Sequence, residues 1–334
     1  MAEEAANVVW FLLIKMLKAA VLLAGVSILA FALVSFSPID PVRANTGTTA
    51  YLRMSPEKRA QMDSYWGKEL PAAERYLNWA ADFVRGDMGM SQKYNRPVAE
   101  VISEKAGNSL ALMGTAWVCS GILGFILGAV AGCFRDRRPD KVIRGGALLL
   151  AAMPSFWLAL LLIMVFSVWL RWLPFGLNIP IGVSHSEVGI ADRIAHLILP
   201  ALTLSLTKTA DITLHTRQKM LDIMESDYVL FARARGERGS RIVRRHALRN
   251  ILLPAITLQF SSVSEIFGGS VLVEQVFSYP GLGQAAVDAG LGSDVSLLLA
   301  ITVFSALLVF TGNLIADLLY GIADPQIRRG RSHG

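Results

Sequence analysis

Hydrophobic residues make up 53% of the 334-residue sequence and charged residues only 17%, whereas about 25% of the residues in a typical soluble domain are charged. This composition excludes an ordinary soluble domain and favours a membrane protein. The formal net charge of +6 does not indicate nucleic-acid binding, because the basic residues cluster in connections between long uncharged segments, where membrane topology explains them. Cys119 and Cys133 indicate no disulfide or metal site, because a helix would hold them roughly 21 Å apart.

The first predicted element is a spanning helix in residues 19–39, which carry no charged side chain. The segment is too long for the apolar core of a signal peptide and lacks a convincing cleavage site, so we expect an uncleaved first span. Residues 38–108 are then predicted to form a small exported subdomain. Within it, Ser55-Pro56-Glu57 resembles a helix start, and residues 72–84 (AAERYLNWAADFV) have apolar side chains at helical spacing.

Five further spans are predicted downstream. Residues 106–134, 145–170 and 295–316 are uncharged, and each reaches the roughly 20 residues that a helix needs to cross about 30 Å of hydrocarbon. They are predicted to be the second, third and sixth spans. The fourth span, which begins near residue 194, and the fifth, in residues 250–273, are interrupted by charged side chains. Pro154 lies inside the third span and Pro200 inside the fourth, where membrane helices tolerate proline as a kink.

Basic residues in the connections predict the orientation. Four lie in residues 135–141 and nine in residues 217–250, whereas residues 275–293 contain none. The positive-inside rule places both basic connections, and both termini, in the cytoplasm. The predicted fold is an all-α polytopic membrane protein with about six spans. Its predicted parts are an N-terminal segment and first span at 1–37, the exported subdomain at 38–108, a five-helix core at 109–325 with a cytoplasmic connector at 218–250, and a cytoplasmic tail at 326–334.

Residues 227–254 (DYVLFARARGERGSRIVRRHALRNILLP) form the segment that is most informative about function. A short helix at its start would offer apolar contact and positive charge to a partner, and a solvated basic loop is the alternative. Gly236 then lets the chain turn without a side-chain penalty, and the segment is expected to end at Leu253-Pro254, where the chain re-enters the membrane. The apolar residues that we expect the short helix to offer are Tyr228, Val229, Phe231 and Ala232.

This segment resembles the cytoplasmic coupling loop of ABC importer permeases, in the peptide/nickel branch of that family. The general loop pattern has Glu and Ala where this chain has Leu230 and Phe231, a departure that is usual for the branch. Motifs at residues 85–89, 153–158, 274–283 and 313–328 also fit the family, in the same order. The matching residues of the loop are Asp227, Tyr228, Val229, Ala232, Arg233, Ala234, Gly236, Arg245, His246, Leu248, Arg249, Asn250 and Pro254.

The resemblance implies the fold of a type I importer permease in the inner membrane of a bacterium. Two homologous permease subunits would form the pore as a heterodimer, and two cytoplasmic ATPases, which hold ATP and Mg²⁺, would dock on their coupling loops. A periplasmic or lipid-anchored binding protein would deliver short peptides, nickel or a metal chelate. The chain itself would hold no cofactor or metal and would not be an enzyme, since it lacks the G-x-x-x-x-G-K-[ST] loop that binds nucleotide phosphates.

Polar side chains within the predicted fifth span are candidates for a substrate path. A charge at the centre of a span costs about 2.5–3.5 kcal/mol on insertion scales, so Glu265 is expected to face a cavity or a partner. With Ser261 and Ser262, it could line the path of a cationic or metal-complexed substrate. The alternatives are a hydrogen bond to another helix, or a neutral buried carboxyl. The spacing of Glu265, Gly268 and Gly269 is similar to that of nickel-type members.

In the fourth span, Lys208 and Asp211 are three residues apart and are predicted to pair on one helix face, which His215 shares. They are also candidates for the substrate path. His196 is not predicted to bind a metal. A proton-coupled secondary transporter that uses Glu265 and Asp211 is the alternative function. An intramembrane metalloprotease is not indicated, because the sequence contains no H-E-x-x-H.

Overall fold

The computed structural model describes residues 2–35, 53–58, 71–91, 93–180, 182–183, 188–292 and 294–323. The predicted tail at 326–334 and most of residues 38–70 lie outside this part of the chain. The chain divides into two compact units. One comprises Met1–Gly107 with Gly281–Phe310, and the other comprises Asn108–Pro280 with Thr311–Gly334.

The described residues are almost entirely helical, with one short antiparallel hairpin in which Met90 lies opposite Pro97. A π-helical segment, Ile163–Trp169, extends helix α5, and another, Val243–Ala247, joins α8 to α9. In chain order the elements are α1 (Ala2–Ser35), α2 (Ala72–Val84), β1 (Met90–Ser91), β2 (Arg96–Pro97), α3 (Val98–Cys133), α4 (Arg138–Ala152), α5 (Ser155–Leu162), α6 (Ile190–Met224), α7 (Asp227–Ala234), α8 (Gly239–Ile242), α9 (Leu248–Ser261), α10 (Val263–Val276), α11 (Leu282–Leu291) and α12 (Val295–Ala323).

Four of the described helices are long and apolar enough to cross a membrane: α3, α6, and the segments Leu13–Leu33 of α1 and Val295–Leu318 of α12. Two bent helix pairs raise the number to six if each pair is one span. The first joins α4 to α5 and its π-helical extension at 109°, and the second joins Gly239–Ser261 to α10 at 50°. Helix length and composition therefore confirm the prediction of about six spans.

The three intramembrane prolines behave differently from one another. The kink expected at Pro154 is a complete break, since α4 ends at Ala152 and Met153 is extended (φ −85°, ψ 129°). A proline disfavours helical conformation in the residue before it and has no N–H to donate. Pro200 lies within α6, as predicted. Pro254 lies within α9, so the helix continues through the point where the chain was predicted to re-enter the membrane.

In the first unit, the start of α3 packs with α11 and α12 around an apolar core that includes Val98, Val101, Leu282, Leu297 and Ala300. Asp294 is fully buried just before α12. Its carboxylate accepts hydrogen bonds from Ser91 Oγ (2.6 Å) and from the backbone nitrogens of Lys93 (3.1 Å) and Leu297 (3.2 Å). Asp294 therefore caps α12 and attaches the β1–β2 hairpin to its start.

Helix α2 has the bounds that the apolar spacing predicted, Ala72–Val84. It lies beside α1, where the hydroxyl groups of Tyr76 and Ser27 are 2.8 Å apart and the rings of Tyr76 and Phe31 meet edge to face. The predicted helix start is also present, because Ser55 Oγ accepts a hydrogen bond from the backbone nitrogen of Lys58 (3.3 Å). Export of residues 38–108 stays a prediction.

In the second unit, glycines let α3 approach α6 closely. A Cβ atom at Gly128 would lie 2.6 Å from Thr213 O and from Thr216 Cβ, and one at Gly132 would lie 2.5 Å from Met220 Cβ. Gly124, Gly128 and Gly132 follow the four-residue spacing of small residues that is common where membrane helices pack. This packing fixes the position of α6, which leads into the connector.

Residues 274–280 also have a structural role within the second unit. Glu274 is fully buried and accepts a hydrogen bond from Ser109 Oγ (2.7 Å), and Asn108 Nδ2 donates to Pro280 O (2.9 Å). Burial, together with the nearby Glu274 carboxylate, raises the pKa of the Tyr279 hydroxyl to about 12. This segment therefore joins the end of α10 to the side of α3.

Candidate functional site

Helix α7 is the short helix that was predicted at the start of residues 227–254. Its end has the hydrogen bonds typical of a helix terminated by glycine: Gly236 N donates to Arg233 O (2.9 Å) and Glu237 N donates to Ala232 O (3.1 Å). Gly236 has a φ of +83°, a conformation that glycine adopts at no steric cost. The predicted turn at Gly236 is therefore confirmed.

The two faces of α7 have different environments. Val229 and Ala232 are buried against Ile242, Ile223 and Met224, so they do not offer the external contact that the sequence analysis assigned to them. The exposed face presents apolar side chains instead: Tyr228 is 45% exposed, Leu230 50% and Phe231 66%. Leu230 was noted in the sequence only as a departure from the general pattern, although Val229 and Ala232, three residues apart, share one helix face that Leu230 does not share. We call Tyr228, Leu230 and Phe231 the α7 surface.

Positive charge surrounds the α7 surface. Ala234 and the arginines of the connector are exposed. Two side-chain contacts link α7 and the turn after it to the later part of the connector. His246 Nε2 lies 3.4 Å from Glu237 Oε2, and Asn250 Nδ2 donates to Tyr228 Oη (3.1 Å). The exposed arginines are Arg233, Arg235, Arg238, Arg241, Arg244, Arg245 and Arg249.

The end of α6 that precedes α7 is fixed by a buried ion pair. Arg217 donates from Nε (2.5 Å) and from a terminal nitrogen (2.8 Å) to the two carboxylate oxygens of Asp140 at the start of α4. The Asp140 side chain is 1% exposed and that of Arg217 is 12% exposed. Asp136 N donates to the same carboxylate (2.8 Å), and Arg135 is hydrogen-bonded to Glu225 nearby. The Asp140–Arg217 pair was not predicted from the sequence, because its members are 77 residues apart.

Within the membrane core, Lys208 of α6 makes its closest ion pair with Glu265 of α10, at 2.6 Å between Nζ and Oε2. The predicted partner, Asp211, is 3.9 Å away, so the pair predicted within one helix is the weaker of the two contacts. The side chain of Lys208 is 18% exposed, whereas those of Glu265 and Asp211 are 63% and 55% exposed. Charged side chains inside a spanning helix almost always face the interior of a bundle or a water-filled cavity, so we expect this face to border water or another subunit.

The serines near Glu265 are engaged in hydrogen bonds. Ser261 Oγ donates to Thr257 O within α9 (3.0 Å), and Ser262 Oγ, directly after α9, donates to Gln259 O of that helix (2.8 Å). Ser264 Oγ donates instead to Asn313 of α12 (2.9 Å). The structure therefore brings Lys208, Asp211 and Glu265 together, whereas the hydroxyl groups of Ser261 and Ser262 bond to α9.

A metal site is not evident in the described part of the chain, which contains no group of three or more His, Cys, Asp or Glu side chains placed to hold an ion. His196 Nδ1 lies 2.6 Å from Gly176 O, and this contact accounts for its position near the start of α6.

Comparison with known proteins gives consistent matches. Residues 124–329 match the family described as "Binding-protein-dependent transport system inner membrane component". The chain is 39% identical to the oligopeptide transport system permease protein AppB of Bacillus subtilis, over 92% of this chain and 95% of that protein. It is 34% identical to the glutathione transport system permease protein GsiC of Escherichia coli (91% and 94%), and 33% identical to the di/tripeptide transport system permease protein DppB of Pseudomonas aeruginosa (92% and 95%).

Proposed function

Because the chain belongs to the family of binding-protein-dependent transport system inner membrane components, and is a transport component rather than an enzyme, we propose that it forms part of the pore of an ATP-driven importer of short peptides. The relatives are named for oligopeptide, di/tripeptide and glutathione transport. These names favour peptides over nickel or metal chelates, which the resemblance had also implied. Family membership likewise disfavours a proton-coupled secondary transporter.

The α7 surface is the observation that carries the proposal. A short amphipathic helix that buries one face and exposes Tyr228, Leu230 and Phe231 suits docking into an apolar groove of a partner. The arginines around it add charge complementarity, which steers association. A separate ATPase subunit is the partner that this arrangement serves in an importer whose membrane chain has no nucleotide-binding loop.

A movement of α7 would be transmitted to the membrane-spanning helices because α7 packs against the end of α6. Val229 and Ala232 contact Ile223 and Met224 at the end of α6, so α7 and α6 move together. When the ATPases bind ATP and Mg²⁺ and close on each other, they would displace both α7 helices of the paired permeases. The spans would then repack as rigid bodies between inward-open and outward-open states.

The proposed assembly contains a second, homologous permease subunit, two ATPases and a substrate-binding protein. The assembly would lie in a bacterial inner membrane. Both termini and the connector of this chain would be in the cytoplasm, and residues 38–108 would be exported. The distribution of Lys and Arg among the connections supports this orientation.

Phe231→Asp is expected to release the ATPase from the purified complex and to lower ATP-dependent peptide uptake roughly tenfold or more, because a carboxylate buried in an apolar groove loses its hydration. Phe231→Leu is the matched control, since it keeps an apolar side chain, and it is expected to retain the ATPase. The measurements are co-purification and uptake into proteoliposomes. A photo-crosslinker at exposed Ala234 is expected to capture the ATPase in the intact complex. Normal ATPase retention by Phe231→Asp, with no capture at Ala234, contradicts the docking role.

Glu265→Gln is expected to lower dipeptide uptake roughly tenfold without releasing the ATPase, because Lys208 loses its closest counter-charge on the exposed face of the core. Ser264→Ala is the control, since it removes a nearby hydrogen bond but no charge. Exchange of the two charges, Lys208→Glu with Glu265→Lys, distinguishes a structural role of Glu265 from a contact with substrate. Recovery of uptake by the exchange identifies a structural ion pair, and continued loss identifies a contact with substrate.

A further inference from the structure

Helix α6 carries a continuous line of ionisable side chains. Lys208, Asp211, His215, Lys219 and Asp222 are separated by three, four, four and three residues, so they share one face of the helix over about 21 Å. All of them except Lys208 are exposed. A face with this charge pattern is not expected to border lipid, and it runs from the Lys208–Glu265 pair into the start of the connector, which contains Lys219 and Asp222.

A cleft of about 420 Å³ lies between α9 and the part of this face that contains His215 and Lys219. The α6 wall contributes two basic side chains, His215 and Lys219, together with Thr216, whereas the α9 wall is mainly apolar and includes Leu253, Pro254 and Leu258. No acidic side chain is among the described residues that line it. The cleft is thus cationic on one side and apolar on the other.

The polar side chains of the α6 wall have unused hydrogen-bonding capacity in the described part of the chain. Lys219 has a distant partner, Asp222, at 3.8 Å, and both side chains are about half exposed. Thr216 is 3% exposed, and its Oγ1 has no hydrogen-bond partner in the described part of the chain. Its Cβ packs against Gly128 of α3, so Lys219 and His215 are the polar side chains of this wall that are open to the cleft. These groups suit an anionic oxygen ligand better than a cation.

We propose that this cleft binds the carboxyl-terminal residue of the transported peptide, an inference that rests on the proposed function. The carboxylate accepts hydrogen bonds from Lys219 Nζ and a ring N–H of His215, which are stronger than neutral ones because charge is involved. The side chain of the same residue packs against Leu253 and Leu258. The cleft volume lies in the range of small-molecule sites, about 300–1,000 Å³. The site therefore selects peptides with a free carboxyl terminus and an apolar last residue.

The experiment uses the full importer complex, with its ATPases, in nanodiscs of neutral lipid. The probes are radiolabelled alanyl-leucine and its carboxyl-terminal amide. Wild type is expected to bind the acid at least tenfold more tightly than the amide. Lys219→Gln is expected to weaken binding of the acid about tenfold and to leave the amide unchanged, and Lys219→Arg is expected to retain acid binding. Lys141→Gln, which removes an exposed lysine charge outside the cleft, is expected to have no effect.

Equal binding of acid and amide by wild type, or an equal loss of both in Lys219→Gln, overturns the proposal. A phospholipid phosphate has the same anionic chemistry, so the experiment is repeated in nanodiscs with anionic lipid. If anionic lipid displaces alanyl-leucine from wild type but not from Lys219→Gln, the occupant is a lipid headgroup and the proposal fails. If the wild-type complex imports peptides while the Lys219 variants bind both probes normally, only this inference fails. If the wild-type complex neither binds nor imports peptides, the proposed function fails as well.

Discussion

Asp140→Asn is expected to destabilise the protein by about 3 kcal/mol, because it leaves the buried Arg217 guanidinium without its counter-charge. The neutral amide retains one acceptor oxygen where the carboxylate gave Arg217 two, and it adds an N–H₂ donor that faces another donor. The loss is measured as a lower midpoint of thermal unfolding of the purified complex. A lower yield of monodisperse complex is also expected.

Two further variants make this result specific. Glu225→Gln removes the partner of Arg135 in an exposed pair on the same side of the molecule, and it is expected to change the midpoint little, since water replaces the lost contact. The double variant Asp140→Leu with Arg217→Met removes both charges and is expected to recover most of the stability. If Asp140→Asn lowers the midpoint of thermal unfolding no more than Glu225→Gln does, the buried pair does not hold α4 to α6.

Gly128→Leu is expected to prevent close packing of α3 and α6, at a cost of about 3 kcal/mol or more. Its Cβ would lie 2.6 Å from Thr213 O, and a backbone atom inside a packed helix cannot move aside as a flexible side chain would. The helices have to separate, which also disturbs the Arg217–Asp140 pair one turn below Thr213. Thermal unfolding and the yield of folded protein measure the effect.

Gly114 provides the matched control, because it lies on the same helix with no atom within 4 Å of a Cβ at its position. Gly114→Leu is expected to leave stability nearly unchanged, since leucine has a higher helix propensity than glycine and meets no neighbour. Similar losses of stability in the two variants would mean that leucine destabilises α3 for a reason other than contact with α6.

Family membership and helix placement could be read from the sequence because they depend on local features. Uncharged length places spans in α1, α3 and α12, and the apolar spacing of residues 72–84 places α2 with its observed bounds. The turn at Gly236 also follows from one residue type. The motif in residues 227–254 led to the family that the comparisons support.

The tertiary structure alone decided which side chains meet. Lys208 has a carboxylate three residues away, yet its closest partner is Glu265 on another helix. Asp140 and Arg217 are 77 residues apart, and Val229 turned inward while Leu230 turned outward. The sequence by itself determined the long apolar helices and the family, because uncharged length and turn chemistry act locally. Burial and ion pairing depend on which helix faces pack together, and that is settled only when distant parts of the chain come into contact.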